Sequence, residues 1–273
     1  MKKKCSRSPR LWMWLSLLAA VGSLTNTSSR AQSVIQSWEG IAAPTGSVPP
    51  DPHGAPGPEG VLATVNLQIF YYTKSGTLVW GPVNLPTFFV GNTGVANHNS
   101  DPKVVFDQGS RRFFVIMQEN HDSRFWLNVA VSRSADPRTS GAGDWITYRF
   151  DATEYASSNP LGGTNYGGDY PGPAVDNQAL YVSYRMFAFK PNGGLPGGTE
   201  TFFVTNTALL IMNKNQLING NGTLASLYFE KAEDAQVVTP IGTNPGNVVY
   251  IARLWGSSTV KLMLSRTRSA RGP

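Results

Sequence analysis

The 273-residue chain holds one cysteine, Cys5, with 28 glycines, 19 prolines and 11% aromatic residues, and 23 Lys+Arg stand against 17 Asp+Glu. Six of the basic residues (Lys2, Lys3, Lys4, Arg7, Arg10 and Arg30) precede residue 32 without an acid among them, so the remainder balances at 17 of each sign. The basic pI therefore belongs to the N-terminus and argues for no nucleic-acid partner. A chain whose sole cysteine lies there has no disulfide staple, no thiol nucleophile and no Cys-based zinc site.

In chain order, the basic start is followed by an apolar run of 14 residues, Leu11 to Leu24, and a polar stretch ending Ser29-Arg30-Ala31. A spanning helix needs roughly 20 apolar residues, and small residues before a cut after Ala31 suit a signal peptidase. Residues 1–31 are expected to be a signal peptide rather than a membrane anchor, and residues 32–273 a secreted or periplasmic domain without stable membrane insertion. Cys5 precedes the apolar run, which excludes a lipoprotein cysteine.

From there, short β-branched and aromatic runs alternate with Gly/Pro/Asn/Asp clusters. Gly60–Asn66, Leu67–Thr73, Thr77–Trp80, Arg112–Met117, Leu127–Ser132, Trp145–Phe150 and Leu180–Tyr184 each have the length and composition of a strand. Leu209 to Ile218 has some helical character and fits a strand plus turn equally well. Repetition is the stronger signal. Asp101-Pro-Lys-Val-Val-Phe-Asp-Gln-Gly109 aligns with Asp169-Tyr-Pro-Gly-Pro-Ala-Val-Asp-Asn177 and with Asp234-Ala-Gln-Val-Val-Thr-Pro-Ile-Gly242; a looser copy begins at Asp51-Pro52. Each copy opens a unit of up to four strands joined by short connections. The pattern predicts an all-β fold, a β-propeller of four-stranded antiparallel blades with about four present. The last unit ends after its third strand, so the chain is expected to be a truncated product of a longer gene. Otherwise Val34–Trp38 would supply the missing outer strand.

Ser37-Trp-Glu-Gly40, Pro49-Pro-Asp-Pro-His-Gly-Ala-Pro-Gly-Pro58, Val65-Asn66, Ser100-Asp-Pro-Lys-Val-Val-Phe-Asp107, Ala130-Val-Ser-Arg-Ser-Ala-Asp-Pro137 with Asp144-Trp145, and Asp169-Tyr-Pro171 together resemble a group of bacterial secreted proteins. These are classed with sialidase-like β-propellers, and the likeness spans roughly Trp38 to Phe189. Ser134-Ala-Asp136 with Gly143-Asp144-Trp145 looks like a stretched Asp-box, a hairpin motif that the resemblance makes structural. A sialidase would carry an early Arg-Ile-Pro element, which this chain lacks; the resemblance implies a fold rather than an activity.

No serine-hydrolase elbow, zinc-protease helix, phosphate loop or dinucleotide fingerprint occurs, and no catalytic residue is selected. Glu119, His121, Asp122 and Arg124 form the richest polar cluster, expected on a hairpin loop, either as ligand-binding groups or as a solvated turn. Asp51, Asp101, Asp169 and Asp234 recur before the innermost strands. A ring of such carboxylates would suit Ca²⁺, and the alternative is that each caps its own loop. Tyr166, Tyr170, Arg185, Arg253 and Trp255 fall near the same face, where rings stack on sugars and arginine pairs with carboxylates; packing between blades is the alternative. The reading is a non-catalytic module that binds a glycan or an extracellular protein. The competing reading is a glycan-active hydrolase using the carboxylates of that face.

Overall fold

The computed structural model describes residues 36–44, 46, 48–89, 99–121, 124–153, 166–188, 202–229, 235–238, 248–255 and 259–266. The chain falls into two compact units, Met1–Ser37 and Trp38–Pro273, and every strand belongs to the second. The expected signal peptide lies outside the described residues. Among them, no helix is long and apolar enough to cross a membrane.

Among the described residues, fifteen strands form four antiparallel sheets. The first holds β1 (His53–Pro56), β2 (Gly60–Val65), β3 (Gln68–Thr73) and β4 (Leu78–Asn84). The second holds β5 (Asn99–Asp107), β6 (Arg112–His121), β7 (Arg124–Ser132) and β8 (Trp145–Asp151). The third holds β9 (Tyr166–Val175), β10 (Ala179–Ala188), β11 (Phe202–Asn213) and β12 (Leu224–Phe229), and the fourth β13 (Ala235–Val238), β14 (Val248–Trp255) and β15 (Thr259–Arg266). Strand order within each sheet follows the chain. The all-β expectation is met, and the repeated units coincide with the sheets. Leu209 to Ile218 resolves into the end of β11 and a helical turn, Lys214–Ile218, whose N-terminal Asn213 side chain accepts from Gln216 N. Gln36–Trp38 is not a strand, while residues 34 and 35 lie outside the described set.

Tight turns hold the ladders in register. Asn66-Leu67 joins β2 to β3 with Val65 opposite Gln68. The β5–β6 turn is built on Asp107, whose carboxylate accepts from Gly109 N at 3.1 Å and Ser110 N at 3.0 Å. Asp176 does the same between β9 and β10, accepting from Gln178 N at 2.8 Å and Ala179 N at 2.9 Å. An Asp placed there satisfies turn donors that the ladder cannot reach.

The sheets pack face to face, and alternation along β6 allots residues to two interfaces. Phe113, Val115 and Met117 join Leu62, Ile69 and Tyr71 of the first sheet and Phe88 and Phe89, which follow it. Phe114 and Ile116 join Leu180, Val182, Tyr184 and Met186 of the third sheet. Burial on both faces makes β6 read as an unbroken apolar run. First strands also pack on one another in succession: β1 against β5, β5 against β9, β9 against β13. The hairpin between β7 and β8 is clamped by Asp144, which accepts from Thr139 N at 2.7 Å and Thr139 Oγ1 at 2.8 Å. Its Asp136 accepts the Tyr71 hydroxyl at 2.9 Å, and Trp80 Nε1 donates to Pro137 O at 2.9 Å, so the hairpin locks the second sheet onto the first.

Candidate functional site

In each of the first three sheets a left-handed residue followed by proline lies just before or within the first strand: Asp51 (φ 40°) with Pro52, Asp101 (φ 50°) with Pro102, and Tyr170 (φ 56°) with Pro171. In β5, Asp101 and Pro102 together face the single residue Met117, and in β9, Tyr170 and Pro171 face Tyr184. These are β-bulges, which re-aim a side chain and leave an unpaired position where proline's missing N–H costs nothing. The bulge also corrects the sequence alignment. Asp101 corresponds to Tyr170, and Ser100, opposite Gln118, corresponds to Asp169, opposite Arg185. The recurring aspartates are thus neighbours without being symmetry equivalents.

Two amide side chains, Asn66 from the β2–β3 turn and Gln118 from β6, tie these segments together. Asn66 Nδ2 donates to Asp51 Oδ2 at 2.6 Å and Pro49 O at 2.8 Å, while its Oδ1 accepts Asp101 N at 2.8 Å. Gln118 Nε2 repeats the pattern one sheet on, reaching Asp101 Oδ2 at 2.6 Å and Asp169 Oδ1 at 3.2 Å. Asp51, Asp101 and Asp169 are therefore linked through amides, rather than each capping its own loop. Asp101 is buried, and burial together with the Asp169 and Asp51 carboxylates pushes its pKa up to about 6. Asp234 lies outside the described residues.

Two cations flank this chain of acids and amides. Lys103, itself buried, places Nζ 3.9 Å from the centroid of the Tyr170 ring. Tyr170 remains 47% exposed, so one part of the ring meets the ammonium and the rest faces solvent. Arg185 is exposed and stands opposite Asp169 in the ladder. His53 Nδ1 accepts Val104 N at 3.1 Å, which leaves a neutral ring with its proton on Nε2. Burial, reinforced by Lys103, lowers its pKa and agrees with that neutrality.

The polar cluster of β6 and β7 divides differently from its expectation. Glu119 and His121 sit inside β6, paired with Trp126 and Arg124, rather than on a loop. Glu119 is fully buried and held by Arg149 Nη2 at 2.8 Å, Arg149 Nε at 3.1 Å and Asn128 Nδ2 at 2.8 Å. A carboxylate so enclosed is a structural ion pair, since each oxygen already has a donor. Arg124 is ion-paired with Asp151 at the surface. Asp122 and the side chains of His121, Tyr166, Arg253 and Trp255 lie outside what is described. Asn66, Ser100, Lys103, Gln118 and Asn120 were not singled out in the sequence. The available signal was polar residues at alternate positions, Gln118 and Asn120, directly after the apolar run of β6.

No family model matches the chain, and no curated protein matches it. Among solved structures it is similar, at a TM-score of 0.28 and 10% identity, to a GH43 glycoside hydrolase engineered to display both endo-xylanase and exo-arabinofuranosidase activity. That match covers 78% of this chain and 52% of the other, so the chain spans about half the length of that structure. A superposition so loose aligns no side chains.

Proposed function

We propose that the sheets are blades of a secreted β-propeller and that the face gathering the bulges is a non-catalytic binding site for a glycan. The blade reading is supported by the up-and-down order within each sheet and by the succession of first strands packed on one another. The observation that carries the binding reading is Tyr170. An aromatic ring held in a left-handed bulge, backed by a buried lysine and open to solvent, is a preorganised platform for the apolar face of a sugar ring. Asp169 and Arg185 beside it supply acceptors and donors for hydroxyl groups.

Glycan-array screening followed by calorimetry on the best ligand tests this. Tyr170→Ala is expected to weaken binding roughly tenfold, in line with about 1.5 kcal/mol for an aromatic stacking contact. Unchanged affinity in that variant would remove the site from this face.

The second reading, a glycan-active hydrolase, is favoured by one observation. Burial and the neighbouring Asp169 and Asp51 carboxylates push the Asp101 pKa up to about 6, into the range that a general acid uses. Reducing-sugar release from the bound glycan, abolished in Asp101→Asn, would establish it. Binding without release would leave the first reading standing alone.

A further inference from the structure

Where β5, β6 and β9 meet, there are more oxygen acceptors than hydrogen atoms to fill them. Gln118 Nε2 has two hydrogens, yet three acceptors lie within bonding distance: Asp101 Oδ2 at 2.6 Å, Ser100 Oγ at 2.8 Å and Asp169 Oδ1 at 3.2 Å. The Ser100 hydroxyl gives its own hydrogen to Asp101 Oδ2 at 3.1 Å. At the other end of the same amide, Gln118 Oε1 is sealed from solvent and accepts no hydrogen bond. Asn120 Oδ1, two residues along the same face of β6, is in the same state, while Asn120 Nδ2 is anchored to Gly168 O at 3.2 Å. Gln118 and Asn120 are 2% and 7% exposed, so bulk water does not make up the deficit. A buried acceptor without a donor costs about 1–3 kcal/mol, and one of these two belongs to the amide that bridges a pair of carboxylates.

Among the described residues no three His, Cys, Asp or Glu side chains converge, so this is no carboxylate cage. It is a mixed set of two carboxylates with neutral amide and hydroxyl oxygens, the donor type preferred by hard cations. We propose that the junction of β5, β6 and β9 binds one calcium-class cation through Asp101, Asp169 and the amide oxygens of Gln118 and Asn120. Turning the Gln118 amide by half a turn exchanges Nε2 for Oε1 with almost no change of shape, so the amide that bridges the carboxylates without the ion becomes a ligand with it. Asp169, only half buried, is the entry side. Lys103 beside Asp101 and Arg185 opposite Asp169 oppose the ion, whereas Asp51 adds to its attraction. With two carboxylates and those counter-charges, affinity belongs in the weak extracellular range, on the order of 10⁻⁴–10⁻³ M. The site shares Asp169 with the proposed glycan face, and calcium titration in the absence of glycan separates the two.

The test is calorimetric titration of CaCl₂ into the EDTA-treated full-length protein near neutral pH, with sensitised Tb³⁺ luminescence as a second readout. One saturable site per chain is expected, with Mg²⁺ binding more weakly because it demands a small octahedral shell. Asp169→Asn keeps an acceptor for Gln118, so the ion-free protein should melt as the wild type does while Ca²⁺ affinity falls at least roughly tenfold. Asn120→Leu should weaken the ion as well, and covers the case in which the first variant does not fold. Absence of saturable binding in the wild type, or unchanged affinity in the variants, overturns the proposal. So does a melting temperature that responds to acidification through pH 6 and not to calcium, because a proton then fills the deficit.

Discussion

Single residues already show how the sheets are joined by charge. Lys214 and Asp107, both buried, meet at 2.8 Å between the third sheet and the turn of the second. Burial alone would raise the Asp107 carboxyl, but hydrogen bonds from Lys214 and Ser110 outweigh it and hold its pKa below the usual carboxylate range. Lys214→Ala leaves that carboxylate enclosed without its cation and is expected to cost about 3–5 kcal/mol in urea unfolding. Asp101 has the opposite sign. Its folded pKa lies above the unfolded value, so its contribution is fully present below the unfolded range and is lost as pH rises towards about 6. In calcium-free buffer the wild type should therefore gain up to about 3 kcal/mol over Asp101→Asn as pH is lowered from neutral to about 4. The Asp107 contribution is present above the unfolded carboxyl range and fails only as pH falls further, through its depressed value. Chemical denaturation of both proteins across that range checks the two signs.

At the level of strands and turns, backbone conformation is the controlling quantity. Arg111 closes the β5–β6 turn at φ 55° with its side chain exposed. A left-handed non-glycine residue costs roughly 1–2 kcal/mol, part of which glycine gives back as chain entropy. Arg111→Gly should raise stability by about 0.5–1 kcal/mol, read as a higher melting temperature. Gly168 sits where β9 crosses the Phe125–Tyr184 ring pair, and a Cβ there would lie 2.4 Å from Tyr184 Cδ2 and 2.7 Å from Phe125 Cζ. Gly168→Ala should cost about 1–3 kcal/mol by overpacking. Because Asn120 is anchored to Gly168 O, the same substitution should also weaken calcium uptake, measured by the same titration.

Across the whole molecule, the first three sheets are stitched by bonds that no sheet makes within itself. Tyr71 to Asp136 and Val104 to His53 join the first to the second. Tyr148 Oη to Leu217 O at 2.6 Å and Tyr184 Oη to Ala152 O at 3.2 Å join the second to the third. With two apolar interfaces continuous through β6, these sheets should unfold as one unit. Far-ultraviolet circular dichroism and tryptophan fluorescence should then give coincident transitions, and separated midpoints would show the sheets melting independently.

The strands, their grouping in units and the Asp-built turns were legible in the residues because each depends on neighbours close in the chain. Strand alternation, Gly/Asn turns and an Asp two or three residues before an N–H all act over short separations. The unit starts repeat in the sequence for the same reason, and Asp51, Asp101 and Asp169 each fall within a few residues of the start of a sheet. What the tertiary structure decided was the meaning of those aspartates. The extra residue in Asp169-Tyr170-Pro171 shifts the acid by one place in the bulge, so equivalence was lost while proximity was kept. Glu119 read as a loop acid and became a buried ion pair because Arg149, 30 residues on, comes beside it only once β8 lies against β7. Gln118 and Asn120 are unremarkable polar residues in the chain. They gained a role only when packing sealed their oxygens beside Asp101 and Asp169, because a hydrogen-bond deficit exists only where folding has excluded water.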